Sequence, residues 1–100
     1  MYTRENPGPN IGTRVLAEHD TVKVWELVLE PGESSQWHRH KIPFVLVAIE
    51  PGPLRMENAD GTEQVREFAA GDVVYLAPCT HRVTNVGNTR YRNVIIELKG

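Results

Sequence analysis

Two histidines at alternate positions are the residues of this chain best placed to do metal chemistry. His38 and His40 follow a Pro-Gly turn at 31–32. On a β-strand this spacing places both imidazoles on one face, with their Cα atoms roughly 6.6 Å apart, and sends Arg39 to the other face. Neutral imidazole is a good ligand for Fe, Zn, Ni, Cu and Mn ions. The pair therefore predicts a metal site, and a later strand would bring a third histidine, His81.

The chain that must position these histidines is divided by turn residues into short strand-like runs, and no segment has a convincing helical period. About nine strands are predicted, at 13–17, 22–29, 35–40, 44–49, 54–57, 63–68, 73–76, 81–86 and 91–98. This pattern indicates an all-β sandwich or barrel. The largely apolar faces of 22–29 and the continuous apolar run 44–49 predict buried strands.

Length and composition restrict the possible functions. One hundred residues form one domain, predicted here as an extended arm over 1–11 followed by a single domain over 12–100. A net charge of −2 without a basic tract argues against nucleic acid and anionic membranes as partners. The single cysteine, with no signal peptide and no apolar run of about 20 residues, predicts a cytoplasmic protein. Strands with two apolar faces in so small a domain predict a homodimer, and the arm could be disordered or lie along a partner.

Both histidine-bearing segments resemble sequence motifs of the cupins, a family of small jelly-roll β-barrels. The first cupin motif begins with a glycine, five residues and His-x-His, which Gly32 and 38–40 reproduce, and Gly52 lies near its final glycine. The second motif is matched, in order, by Gly71, Pro78, His81 and Asn85. This resemblance implies a cupin jelly roll of about nine strands. The runs 25–32, 38–40 and 93–97 also resemble the small cupins associated with β-alanine degradation.

The chain departs from the cupin pattern at two places. The glutamate of the first motif would lie at position 44 or 45, where this chain has Phe44 and Val45, so the expected ligands are reduced to the three histidines. The turn before His81 is one residue shorter than the pattern and lacks its glycine. Three residues stay open as additional ligands, and they are Glu26, Glu97 and Cys79.

A site of three histidines leaves coordination positions vacant, as a catalytic metal requires. Related three-histidine cupins include thiol dioxygenases, so the resemblance implies a dioxygenase-like enzyme for a small organic substrate, with Fe(II) the preferred metal among Fe, Zn, Ni, Mn and Cu. Gln36 shares the strand face of the histidines and Phe44 would make one side of the site apolar, so both are candidate substrate-binding residues. The alternatives are a non-catalytic small-molecule binding or sensing cupin and a metal-dependent isomerase or lyase.

Overall fold

The computed structural model describes residues 1–100 and consists of nine β-strands joined by turns and loops. The strands are β1 (Arg14–Glu18), β2 (Val22–Leu29), β3 (His38–His40), β4 (Phe44–Glu50), β5 (Gly52–Asn58), β6 (Glu63–Phe68), β7 (Val73–Leu76), β8 (Cys79–Asn85) and β9 (Tyr91–Leu98). No helix of the structure could cross a membrane. The predicted all-β jelly roll of about nine strands is confirmed.

The strands form two antiparallel sheets that face each other. One sheet has five strands in the order β1-β2-β9-β4-β7, and the other has four in the order β3-β8-β5-β6. Only the connections β1–β2 and β5–β6 stay within one sheet. The other six cross between the sheets, which is the connectivity of a jelly roll. The strand that carries His38 and His40 therefore lies beside the strand that carries His81.

The core lies between the inner faces of the two sheets, and strand periodicity decides which side chains enter it. Along β4, Phe44, Leu46 and Ala48 are buried, whereas the alternate residues are more exposed. Along β9, Tyr91 and Ile95 are buried in the same way. Thirteen buried apolar residues form one continuous cluster, so a single core supports the whole site.

The outer face of the five-stranded sheet is apolar, as expected for β2, but it is less buried than expected. Trp25, Leu27 and Leu29 enter the core as predicted, but Val24 on the other face is only half-buried. On β7, Tyr75 remains 64% exposed. Alternation alone identifies two apolar faces, but it does not show whether another layer covers the second one.

The N-terminal arm turns at residues 3–6, where Thr3 and Asn6 exchange backbone hydrogen bonds, and it then lies against its own domain. Gly8 pairs with His38 in a parallel bridge, and its backbone N–H donates to the Trp37 carbonyl at 2.7 Å. A Cβ at this position would lie only 1.7 Å from Gln36 Oε1, so a larger residue would have to displace the Gln36 side chain. Ile11 is 3% exposed and belongs to the core cluster. The arm thereby covers the free edge of β3, the strand that carries two of the histidines.

Asn85 ties the end of β8 to the turn that follows it. The side chain is fully buried, and its Nδ2 donates to the carbonyls of Leu29 at 2.9 Å and Thr89 at 2.8 Å. Its Oδ1 accepts a hydrogen bond from the Gly87 backbone N–H at 2.9 Å. The last residue of the second motif therefore has three hydrogen bonds that fix the course of the chain around β8.

Candidate metal centre

The three histidines converge because β3 and β8 are antiparallel neighbours. In this register His38 lies opposite His81 and His40 lies opposite Cys79, so all three imidazoles project from the inner face of one sheet. One nitrogen atom from each ring lies within 4.8 Å of the others. His40 Nε2 and His81 Nε2 are 3.0 Å apart, and all three side chains are buried.

The separation of the two Nε2 atoms fits a bound transition metal. Metal–nitrogen bonds of about 2.1 Å at a right angle would place two ligand atoms roughly 3.0 Å apart. The Nε2 atoms of His40 and His81 have this spacing in the structure, and without a metal the same distance is that of an N–H···N hydrogen bond between the two neutral rings. A carbonyl can only accept a hydrogen bond, so His38 Nδ1, 2.9 Å from the Gln36 carbonyl, must be the donor, and its Nε2 keeps a free lone pair. The donor set is therefore suited to one divalent ion.

Phe44 and Cys79 flank the other two rings. The Phe44 ring stacks on His40 at a centroid distance of 3.7 Å and an interplanar angle of 13°, while His40 Nδ1 is buried without a hydrogen-bond partner. Cys79 Sγ lies 3.9 Å from His81 Nδ1, the ring nitrogen that does not face His40. Packing thus orients His40, whereas a hydrogen bond orients His38.

Burial keeps the cluster uncharged. Desolvation is the main cause that lowers the pKa of His38 to about 4, that of His81 to about 3 and that of His40 to about 2. Mutual repulsion of the rings contributes further at His40 and His81. At neutral pH the imidazoles are therefore unprotonated and able to donate lone pairs to a metal. Burial also raises the pKa of the Cys79 thiol, so this side chain stays protonated.

The space beside the histidines is small. This metal cavity has a volume of about 10 Å³, which is room for about one water molecule or ion. Its lining consists of the three histidines and nine residues from the arm, β2, β4, β5, β8 and β9: Ile11, Leu27, Phe44, Leu46, Leu54, Met56, Val83, Asn93 and Ile95. Apart from the imidazoles and one amide the lining is apolar, so little water surrounds a bound ion.

None of the three residues left open as additional ligands belongs to the histidine cluster, because the two carboxylates bond to other side chains and the thiol lies elsewhere. Glu26 forms ion pairs with Arg14 at 2.9 Å and Arg92 at 2.6 Å. Glu97 accepts a hydrogen bond from Trp25 Nε1 at 2.7 Å. Neither carboxylate belongs to the cluster of potential ligands, which consists of the three histidines, and Cys79 lies on the far side of the His81 ring.

The two candidate substrate-binding residues occupy different places. Phe44 lines the metal cavity, at the position expected for the glutamate of the motif. Gln36 precedes β3, and it contributes its backbone carbonyl to His38 while its side chain lies against Gly8, outside that lining. Their roles in substrate binding stay predictions. Sequence reasoning did not single out Asn93 or Met56, although strand alternation places both on inner faces.

No protein-family model and no curated protein matches the sequence. Solved structures do: a cupin domain from Bordetella pertussis Tohama I is 31% identical, with a TM-score of 0.80 over 86% of this chain and 90% of that chain. A Cupin 2 conserved barrel domain protein from Salinispora arenicola is 28% identical, with a TM-score of 0.64 over 83% of this chain and 71% of its own.

An RmlC-like cupin family protein with a double-stranded β-helix fold from Methanocaldococcus jannaschii, 17% identical, has a TM-score of 0.70 over 86% of this chain and 77% of its own. This likeness concerns the fold alone. The cupin domain from Bordetella pertussis is 31% identical, and this chain covers 90% of it. The two halves of the histidine pattern lie on the paired strands β3 and β8. The chain belongs to the cupin family.

Proposed function

We propose that this cupin is a metal-dependent enzyme that acts on a small organic substrate, with dioxygenase-like chemistry. One divalent transition metal, with Fe(II) preferred, would be bound by His38, His40 and His81. The observation that carries the proposal is the convergence of three buried imidazole nitrogens within 4.8 Å of one another, without a carboxylate in the cluster. Three neutral ligands leave coordination positions free for exogenous ligands.

A bound ion would supply Lewis-acid or redox chemistry at these free positions. The chain itself keeps the ligands neutral and oriented. The Gln36 carbonyl fixes the tautomer of His38 at 2.9 Å, and the stacked Phe44 ring holds the plane of His40. The apolar lining excludes water, which strengthens the electrostatic effect of the ion on any group beside it.

A non-catalytic binding or sensing function is the second candidate, and the size of the metal cavity favours it. About 10 Å³ accommodates an ion or a water molecule but no organic substrate. Turnover would require a substrate to approach from outside this space or to displace a lining side chain. A metal-dependent isomerase or lyase would also need its substrate to approach from outside the cavity or to displace a lining side chain. The three candidate functions therefore differ in chemistry but not in the residues that bind the metal.

Metal analysis tests the first step of the proposal. Protein purified without a histidine tag is stripped with chelator, loaded anaerobically with Fe(II) and desalted, and about one equivalent per chain is expected to remain. His81→Asn removes one buried ligand and should reduce the retained metal at least tenfold. His19→Asn, at an exposed position, is the matched control and should retain the full equivalent. Less than about 0.2 equivalents in the unmodified protein would refute metal binding.

Oxygen uptake then distinguishes a dioxygenase from a protein that only binds small molecules. The Fe(II)-loaded protein is exposed to oxygen with a panel of thiols, diketones and amino-acid-derived acids. Substrate-dependent uptake that is absent from His81→Asn supports the dioxygenase. One equivalent of bound metal with no turnover and no oxygen-dependent spectral change would favour the non-catalytic function.

A further inference from the structure

A second, larger space lies directly beside the metal cavity, between the free edges of the two sheets. This side groove lies between β6 and β7 and has a volume of about 290 Å³, compared with about 10 Å³ for the metal cavity. Its lining comes from β5, β6, β7 and the start of β8: Met56, Asn58, Gln64, Arg66, Phe68, Val74, Leu76, Ala77, Pro78, Cys79 and His81. The groove can therefore accept a small organic molecule, which the metal cavity cannot.

Arg66 gives the side groove its only formal charge. It lies opposite Leu54 in the pairing of β5 with β6, so its side chain projects from the inner face of the sheet. The guanidinium lies over the Phe68 ring at 5.1 Å and forms no ion pair within the chain. No aspartate or glutamate lines the groove. Arg66 is also solvent-exposed, because β6 is the edge strand of its sheet. Without an acidic partner, its planar fork of donors is free for an anion.

The remaining lining of the side groove is mainly apolar. Phe68, Val74 and Leu76 form an apolar wall, while Asn58 and Gln64 add amide groups. Asn58 already donates from Nδ2 to Thr62 Oγ1 at 3.1 Å. A guest that fits this surface has one negative charge and an apolar body, because a second charge would meet no second cation.

The side groove and the metal cavity share two lining residues, Met56 and His81. His81 faces His40 through Nε2 and faces Cys79, at the groove, through Nδ1. Met56 is an unbranched side chain with three rotatable bonds, so it can change rotamer at low cost. Because Met56 lies in both linings, a change of its rotamer is the side-chain movement by which the two spaces could join.

We propose that the side groove is the substrate site and that its ligand is a small monocarboxylate with an apolar body. The carboxylate pairs with Arg66, and the apolar end lies along Phe68 and Leu76 and points towards Met56 and His81. Calling this ligand a substrate depends on the proposed function, and the inference adds the chemical class of that substrate. The binding itself depends only on the groove.

Isothermal titration calorimetry with phenylacetate and its neutral isostere phenylacetamide tests whether binding requires a negative charge on the ligand. Both probes are titrated into metal-free protein and into Zn(II)-loaded protein. Phenylacetate is expected to bind at least tenfold more tightly than phenylacetamide in both forms. Arg66→Gln should remove this preference, whereas Arg55→Gln, on the outer face of the adjacent strand, should leave it unchanged. Equal binding of the two probes, or an unchanged preference in Arg66→Gln, would overturn the proposal.

The location of the probe is tested with Co(II)-loaded protein. Paramagnetic broadening of the phenylacetate ring protons, absent with Zn(II), is expected because His81 separates the groove from the ion by a single ring. Metal retention without any phenylacetate binding, or binding without broadening, would overturn the substrate site and leave the metal site intact. Selective phenylacetate binding to a protein that retains no metal would instead refute the proposed function and support the groove.

Discussion

Lowering the pH from 7.5 to 5.5 is expected to reduce the unfolding free energy of the metal-free protein by about 4 kcal/mol. Three buried imidazoles cause this effect. The pKa values of His38, His40 and His81 in the folded chain are lowered to about 4, about 2 and about 3, from an ordinary value of 6.5. Below pH 6.5 the unfolded chain therefore binds protons that the folded chain excludes.

The sign and the size follow from this difference in bound protons. The stabilisation is fully present above the unfolded pKa of 6.5 and is lost as the pH falls towards the folded values. At pH 5.5 each imidazole is about 90% protonated in the unfolded chain, and this costs the folded state about 1.4 kcal/mol per ring. Carboxylates titrate mostly below this window, and a domain of this size has about 5–15 kcal/mol of stability in total.

Urea denaturation followed by tryptophan fluorescence measures the loss, because Trp25 and Trp37 are both only 6% exposed in the folded protein. The titrations are run with chelator at both pH values. His81→Gln removes one of the three rings and should reduce the pH effect to about 3 kcal/mol, whereas His19→Gln, on the surface, should leave it at about 4 kcal/mol. A loss below about 1 kcal/mol in the unmodified protein would show that the imidazoles are not desolvated as argued.

Three further predictions concern metal, packing and the motif asparagine. Zn(II) at a hundredfold excess over its dissociation constant should raise the unfolding free energy at pH 7.5 by about 2.7 kcal/mol, and in His38→Asn a thermal melt should show no such gain. Phe44→Glu introduces a carboxylate beside the imidazoles, so the metal-free protein should lose several kcal/mol while its retained metal increases; a variant that retains less metal than the unmodified protein would contradict the placement of Phe44. Asn85→Ala removes three hydrogen bonds of a fully buried side chain and should cost about 2–4 kcal/mol in urea denaturation, and a cost below about 0.5 kcal/mol would count against its structural role.

The strands that could be predicted most accurately have clear alternation and a turn at each end. The predicted bounds 22–29 and 91–98 coincide with β2 and β9. The segment 35–40 was predicted as one strand, but β3 begins only at His38. Ser35 explains the difference, because its hydroxyl accepts the Val83 N–H at 3.1 Å and takes the place of a backbone acceptor in the ladder.

Spacing predicted that His38 and His40 would share a strand face, since that depends only on the period of a β-strand. Other features of the site depend on packing between distant segments. The volume of the metal cavity is set partly by Ile11, which comes from a segment with no strand pattern. The stacking of Phe44 on His40 and the free charge of Arg66 depend on the register between strands, which local sequence does not specify.

The position of the N-terminal arm bears on how quickly a metal could leave. Ile11 forms part of the wall of the metal cavity, and Gly8 is hydrogen-bonded next to the strand that carries His38 and His40. Residues 8–11 are held by one bridge at Gly8 and by the Ile11 side chain, and a segment with so few contacts detaches more often than a central strand does. We therefore expect the residence time of the metal to follow the fraying of this segment as well as the strength of the coordinate bonds. Proteolytic trimming of the first ten residues would then accelerate metal exchange while the ligand set stays the same.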